Sequence, residues 1–263
     1  MKEAVTYGNY LRINELLSLQ QPWDESEVEH DEMLFIVIHQ VYELWFKLIL
    51  HELDHVCRSL GEGDVHRAQH TLGRVRSIMK VLVAQLDILE TMTPLEFLTF
   101  RERLESASGF QSDQFRALEF ALGKKSRRAI ERFPEGSRAR TGLEARYDGA
   151  TLWDAMLHYL AREGYDVPAA HLERDVLAPV EPSEEIQAVL MKIYRGDPKN
   201  AGLCERLVDL DEGIQEWRYR HVKMVERTIG TKKGTGGSAG AEYLRSTLNQ
   251  PTFPDLWEIR GQF

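Results

Sequence analysis

The chain has 263 residues, 43% of them apolar, and a formal net charge of −9; that is enough apolar content for one substantial core or two modest ones, with no compositional mark of disorder. The acidic balance excludes a general binder of nucleic acid or of an anionic membrane, because both need an excess of Lys and Arg. Small-molecule or protein partners are expected. The two cysteines, Cys57 and Cys204, lie in helical patterns, and the start MKEAVTYGNY lacks a long apolar stretch, so a reducing, cytoplasmic setting is expected.

From Asp31 to Leu60 there is neither Gly nor Pro, and apolar residues recur at helical spacing on two adjacent faces: Leu34, Ile38, Val41, Trp45 and Leu48, and Phe35, Tyr42, Phe46, Ile49 and Leu53. The most apolar part, Met33 to Leu50, is long enough to suggest a membrane span, but His39, Gln40, Glu43 and Lys47 interrupt it. A buried central helix of a soluble protein is predicted instead. Gly61 and Gly63 should break it, Asp64 should cap a second helix running to about Met92, and Thr93-Pro94 should start another.

Shorter helical patterns follow at 95–106, 112–132 and 150–163, separated by SGFQS and by a polar stretch from Pro134 to Asp148. The segment from Val167 to Pro182, with Pro168, Pro179 and Pro182, reads as a surface connection to a helix near 183–195. The last long helix, about Leu203 to Ile229, carries the cleanest stripe: Leu203, Leu207, Leu210, Ile214, Trp217, His221, Met224 and Thr228. After GTKKGTGGSAG come a short helix through Tyr243 and Leu244 and an apolar tail with Phe253 and Trp257. There is no internal repeat and no convincing β alternation. The fold class predicted is all-α, a bundle of long antiparallel helices forming a single domain over 1–263, with 134–200 a more variable helical insertion.

Five constellations carry potential chemistry. His39 interrupts an apolar stripe one turn from Phe35, either as a core histidine bonded to a backbone carbonyl or as a pocket residue offering a nitrogen to a ligand N–H. His221 is a second such interruption, in WRYRHVK; a core histidine and an axial haem ligand are both open, and Arg218, Arg220 and Lys223 are candidates to offset haem propionates. His51-Glu52-Leu53-Asp54-His55 matches the helical zinc signature H-E-x-x-H, without a third ligand at short spacing or a Gly turn after it. The loop Gly234-Thr235-Gly236-Gly237-Ser238-Ala239-Gly240 follows a helix and lacks the G-K-[ST] ending of phosphate loops, which leaves a hinge or an anion-accepting, ligand-closing loop. Arg101, one turn past Phe97, can present its fork to a carboxylate at the edge of an apolar pocket, or make a surface ion pair.

Taken in order, Thr6-Tyr7-Gly8-Asn9-Tyr10-Leu11, His30-Asp31-Glu32-Met33-Leu34-Phe35-Ile36 with His39-Gln40 and Glu43-Leu44-Trp45, Phe100-Arg101, Ser108-Gly109-Phe110-Gln111-Ser112, Trp217-Arg218-Tyr219-Arg220-His221 and Gly234-Thr235-Gly236-Gly237-Ser238 resemble the tryptophan 2,3-dioxygenase family over nearly the whole chain. The resemblance implies a bundle enclosing haem b, with helical extensions for oligomerisation. It implies that His221 ligates the haem iron and leaves the opposite face for O₂. Phe35 would pack on the indole of L-tryptophan, His39 would accept its N–H as the catalytic-site histidine, Arg101 would bind the carboxylate, and Thr235 would contact carboxylate and ammonium. Ser108 and Gly109 match a stretch over the distal haem face. Tyr7, Tyr10 and Leu11 match an N-terminal segment, within residues 1–20, that reaches a neighbouring subunit's pocket in a homotetramer built as a dimer of dimers.

The reaction implied is insertion of both atoms of O₂ across the indole C2–C3 bond, giving N-formylkynurenine in tryptophan catabolism. Ile38, Ala107 and Phe97 depart from some relatives, and a related haem enzyme inserting one oxygen atom to give a 2-oxindole remains an alternative. A zinc hydrolase using His51, Glu52 and His55, and a non-catalytic helical sensor, are the readings from other classes.

Overall fold

The computed structural model describes residues 4–24, 26, 28–232, 234 and 240–263, and every regular element among them is a helix. Two short helices, α1 (Tyr7–Leu11) and α2 (Ile13–Leu16), precede the long α3 (His30–Glu62), α4 (Val65–Leu89) and α5 (Pro94–Arg101). Gly61 is helical, and α3 stops at Gly63, whose φ of 82° lets the chain turn left-handed. Asp64 then caps α4 by accepting from the Arg67 N–H. Thr93 and Glu96 form a reciprocal capping box at the start of α5, with Pro94 in its first turn.

The pattern at 112–132 is two helices rather than one, α6 (Asp113–Ala121) and α7 (Arg127–Ile130), because Gly123 turns the chain at φ 94°. The polar stretch expected to separate helices contains one, α8 (Arg138–Asp148), capped by Ser137. It escapes a periodicity reading because Leu143 is its one buried residue, held in a satellite core with Phe120, Ile130 and Phe133. Next come α9 (Leu152–Arg162), α10 (Ala169–Leu172), α11 (Glu184–Gly196), α12 (Pro198–Ile229), α13 (Ala241–Ser246) and α14 (Pro254–Glu258).

The centre is α4 packed between α3 and α12. Ile38, Tyr42, Phe46, Ile49 and Leu53 of α3 and Leu203, Leu207, Leu210, Ile214 and Trp217 of α12 are buried. Helix α3 has the length and apolarity to cross a membrane, but here its apolar stripe is covered by α4, α6 and α9. Close approach of α12 to α4 relies on Gly213, where an added Cβ would lie 3.2 Å from that of Met79. The C-terminal segment is pinned to α12 by the fully buried Asp211, whose carboxylate accepts from Thr252 N (2.8 Å), Phe253 N (3.1 Å) and Trp257 Nε1 (2.9 Å).

Candidate functional site

The two stripe-breaking histidines, on α3 and α12, come within electrostatic reach of each other: His39 is among the groups that hold down the basicity of His221. His39 is exposed by area, yet protein crowds it enough for desolvation to lower its pKa, against a smaller opposing effect of the Phe35 carbonyl. His39 Nδ1 stands 2.7 Å from the Phe35 carbonyl oxygen. A carbonyl can only accept, so Nδ1 carries the proton, and in the neutral ring Nε2 is left as a hydrogen-bond acceptor. Glu43, one turn further on, is fixed by Gln114 of α6, which donates to its carbonyl and to its carboxylate, both at 2.8 Å.

Phe35 lies 4.0 Å from the His39 ring, 5.9 Å from Phe97 and 5.5 Å from Phe100, between ring centroids. This aromatic group joins α3 to α5 and places the half-buried Arg101 at the last position of α5, one turn from Phe97. Beyond it, Glu105 adopts φ 46° and ψ −111°, a costly backbone state for a residue with a Cβ. The chain thereby turns into the 3₁₀ helix Gly109–Gln111, where Ser108 is the cap, accepting from Phe110 N, and Gly109 is exposed. Phe110 sits 5.2 Å from Tyr243 of α13 and beneath the guanidinium groups of Arg132 (5.1 Å) and Arg116 (5.7 Å).

His221 is the more unusual of the pair. Burial, with His39 as the lesser cause, lowers its pKa to about 4. Neither ring nitrogen has a hydrogen-bond partner among the described residues, so both stay available to a ligand or to solvent. Its contact is with Trp217, whose ring is parallel within 5° at a centroid distance of 5.0 Å.

The cations expected beside His221 are engaged elsewhere. Arg218 is buried against Glu119 (3.1 Å), Arg220 pairs with Asp87 (2.6 Å) and Glu90 (3.3 Å), and Lys223 pairs with Glu226 (2.9 Å). A sequence cannot show which acid on another helix claims a given cation. The residue that sequence reasoning left out of the site is Trp217, which reads as one more apolar stripe position; an aromatic four residues before a stripe histidine was the available signal.

The remaining candidates fall apart or lie elsewhere. Glu52 of the H-E-x-x-H match is buried and bound to Arg74 of α4 at 2.8 Å, while His51 is exposed. No group of three metal-ligating side chains occurs among the described residues. Tyr7, Tyr10 and Leu11 form α1, exposed and packed on α2. Thr235 lies outside the described residues; the flanking Gly230 and Gly240 share φ 60° with ψ −126° and −128°.

An all-helical bundle that sets a neutral acceptor imidazole on α3 within electrostatic reach of a second neutral imidazole on α12 defines a helical protein with a paired-histidine candidate site. The tryptophan 2,3-dioxygenase family profile matches residues 1–135 and 183–263. Proteins named tryptophan 2,3-dioxygenase from Herpetosiphon aurantiacus and Anaeromyxobacter sp. (strain K) are 56% and 54% identical to this chain, covering 99% and 98% of it and 99% and 96% of themselves. One from Caulobacter vibrioides is 44% identical, with 99% of each chain covered. The chain belongs to the tryptophan 2,3-dioxygenase family.

Proposed function

We propose that this protein is a haem-dependent dioxygenase that inserts O₂ across the indole C2–C3 bond of L-tryptophan to give N-formylkynurenine. The observation that carries the reading is His221, a half-buried, neutral imidazole with both nitrogens unclaimed among the described residues. Neutral imidazole is the protein's usual axial donor to haem iron, so the donor chemistry fits. Two further buried polar atoms without a hydrogen-bond partner, Trp217 Nε1 beside it and Arg116 Nε beside Phe110, leave donors that a bound polar group would answer. Bound haem supplies the redox chemistry with O₂.

The chain's own work is positioning. His39 Nε2 accepts the indole N–H, its tautomer fixed by the Phe35 carbonyl, and the Phe35 ring packs on the indole. Arg101 binds the substrate carboxylate, and Thr235 contacts carboxylate and ammonium, so an indole lacking the amino-acid part leaves both groups unpaired. Ser108 and Gly109 would lie against the bound haem. Tyr7, Tyr10 and Leu11 complete the pocket of a neighbouring subunit in a homotetramer.

The test is to give ferrous, haem-loaded protein L-tryptophan and isotopically labelled O₂ and to weigh the product. Two labelled atoms in N-formylkynurenine are expected; one labelled atom in a 2-oxindole, or binding without turnover, overturns the reading. His221→Ala should lose haem, and retention of haem with an unchanged axial spectrum would move the iron ligand elsewhere.

A further inference from the structure

A histidine that ligates a metal is ordinarily oriented by its second nitrogen, which donates to a carbonyl, a carboxylate or water. His221 has no such acceptor among the described residues. It has instead an indole face, since helical side chains lean toward the N-terminus and residues four apart meet on one face. The Trp217 and His221 rings stack within 5° of parallel. Resting on the axial role of His221, we propose that Trp217 is the positioning residue of that ligand, and that its face, in place of a hydrogen bond, sets the plane of the imidazole.

The indole is itself held on several sides. It is 9% exposed, with Tyr42 and Phe46 of α3 each 6.3 Å away in edge-to-face contact and Phe115 of α6 at 5.0 Å. Tyr42 is locked in turn, its hydroxyl donating to the Leu82 carbonyl of α4 at 2.6 Å. Three helices therefore fix the orientation of Trp217, and Trp217 passes that orientation to His221. A ligand held by stacking keeps its plane without needing a protein acceptor for its second N–H.

The experiment compares wild type, Trp217→Phe, Trp217→Leu and His39→Ala as haem-loaded proteins, using readouts that a merely structural role would not move. These are the position and width of the ferrous iron–histidine stretching band, the rhombicity of the ferric electron paramagnetic resonance signal, and the rate of haem transfer to an excess of an apo-globin. Trp217→Leu should broaden and shift the band and speed haem loss by about tenfold or more, the size usual for losing a residue that orients a metal ligand. Trp217→Phe, which keeps a smaller ring on the imidazole face, should fall between, and His39→Ala should match wild type.

An unchanged band and a haem-loss rate within twofold of wild type in Trp217→Leu overturn the proposal. Because a cavity of about 20 Å³ already borders the indole beside Phe46 and Met79, the leucine variant can fail to fold. Trp217→Phe then decides by the same band. His221→Gly with added imidazole separates this proposal from the axial assignment: an iron–histidine band that persists without imidazole sinks the assignment itself, whereas a band restored by imidazole, with no change on altering Trp217, sinks only the positioning role.

Discussion

The imidazole of His39 is committed by one hydrogen bond. With Nδ1 donating to Phe35 O, the ring has a single acceptor nitrogen to offer, and its lowered pKa keeps that nitrogen unprotonated at neutral pH. Replacing it by alanine removes a neutral hydrogen bond worth about 1 kcal/mol. His39→Ala should therefore retain haem and lose about fivefold in kcat/KM, mostly through KM, in steady-state assays; loss of all turnover would make His39 an obligatory base. Both histidines were legible in the sequence as breaks in apolar stripes. The tautomer and the Trp217 stack were not, because they depend on a backbone carbonyl and on ring planes that residue spacing does not encode. Lys124 offers a second prediction. Burial, reinforced by Arg218, lowers its ammonium to about 8, and its Nζ donates to the Gln250 carbonyl. Between about 8 and the ordinary 10.5 the unfolded chain binds a proton that the folded one does not, so this group's contribution to stability rises with pH across that window. Denaturation of Lys124→Met against wild type should show the variant's relative stability greatest near pH 7 and declining from pH 8 to 10.5; a difference independent of pH would refute it.

Among the elements, α3, α4 and α12 were readable because each carries a long apolar stripe, and their observed ends follow the glycine, Asp64 and Thr93 signals to within a few residues. Helix α8 was not, since a helix that buries only Leu143 leaves no periodic trace. The ionic partners of α12 were equally hidden: Arg220 answers to Asp87 and Glu90, about 130 residues earlier in the chain. The C-terminal segment illustrates what such a hidden contact does. Asp211 gathers two backbone N–H groups and one indole N–H into a site closed to water, and Gln215 adds a bond to its other oxygen at 3.2 Å. Asp211→Ala leaves those donors buried and unanswered, which should lower unfolding free energy by about 3 kcal/mol. Limited proteolysis should then cut first near Gln250, ahead of the released segment, while α3 and α4 stay protected. Cleavage unchanged from wild type would show that apolar burial of Phe253 and Leu256 holds the tail without the carboxylate.

At the scale of the whole molecule, the N-terminal region makes sense only in part within one protomer. Gln40, beside His39, donates to the Leu19 carbonyl at 3.0 Å and accepts from Gln20 at 2.5 Å, so residues 19–20 are tied to α3 next to His39. Upstream of that anchor, Tyr7 and Tyr10 are each 77% exposed, on a helix that packs against α2. Aromatic side chains held on an ordered helix yet open to water are the mark of a surface awaiting a partner. If that partner is the pocket of a second copy, one catalytic site draws on two chains, and two differently crippled chains should repair each other. A Tyr7→Ala/Tyr10→Ala chain keeps its own His39, Arg101 and His221 but cannot complete a neighbour's pocket. A His221→Ala chain has intact tyrosines but lacks the residue proposed to hold the haem iron. Each alone should be nearly inactive. When the two are unfolded, mixed and refolded together with haem, hybrids arise in which an intact haem pocket meets intact tyrosines, and activity should reappear in proportion to those pairs. Hybrids demonstrated by native mass measurement but lacking any regained turnover would confine the site to one chain and leave α1 a role in assembly alone.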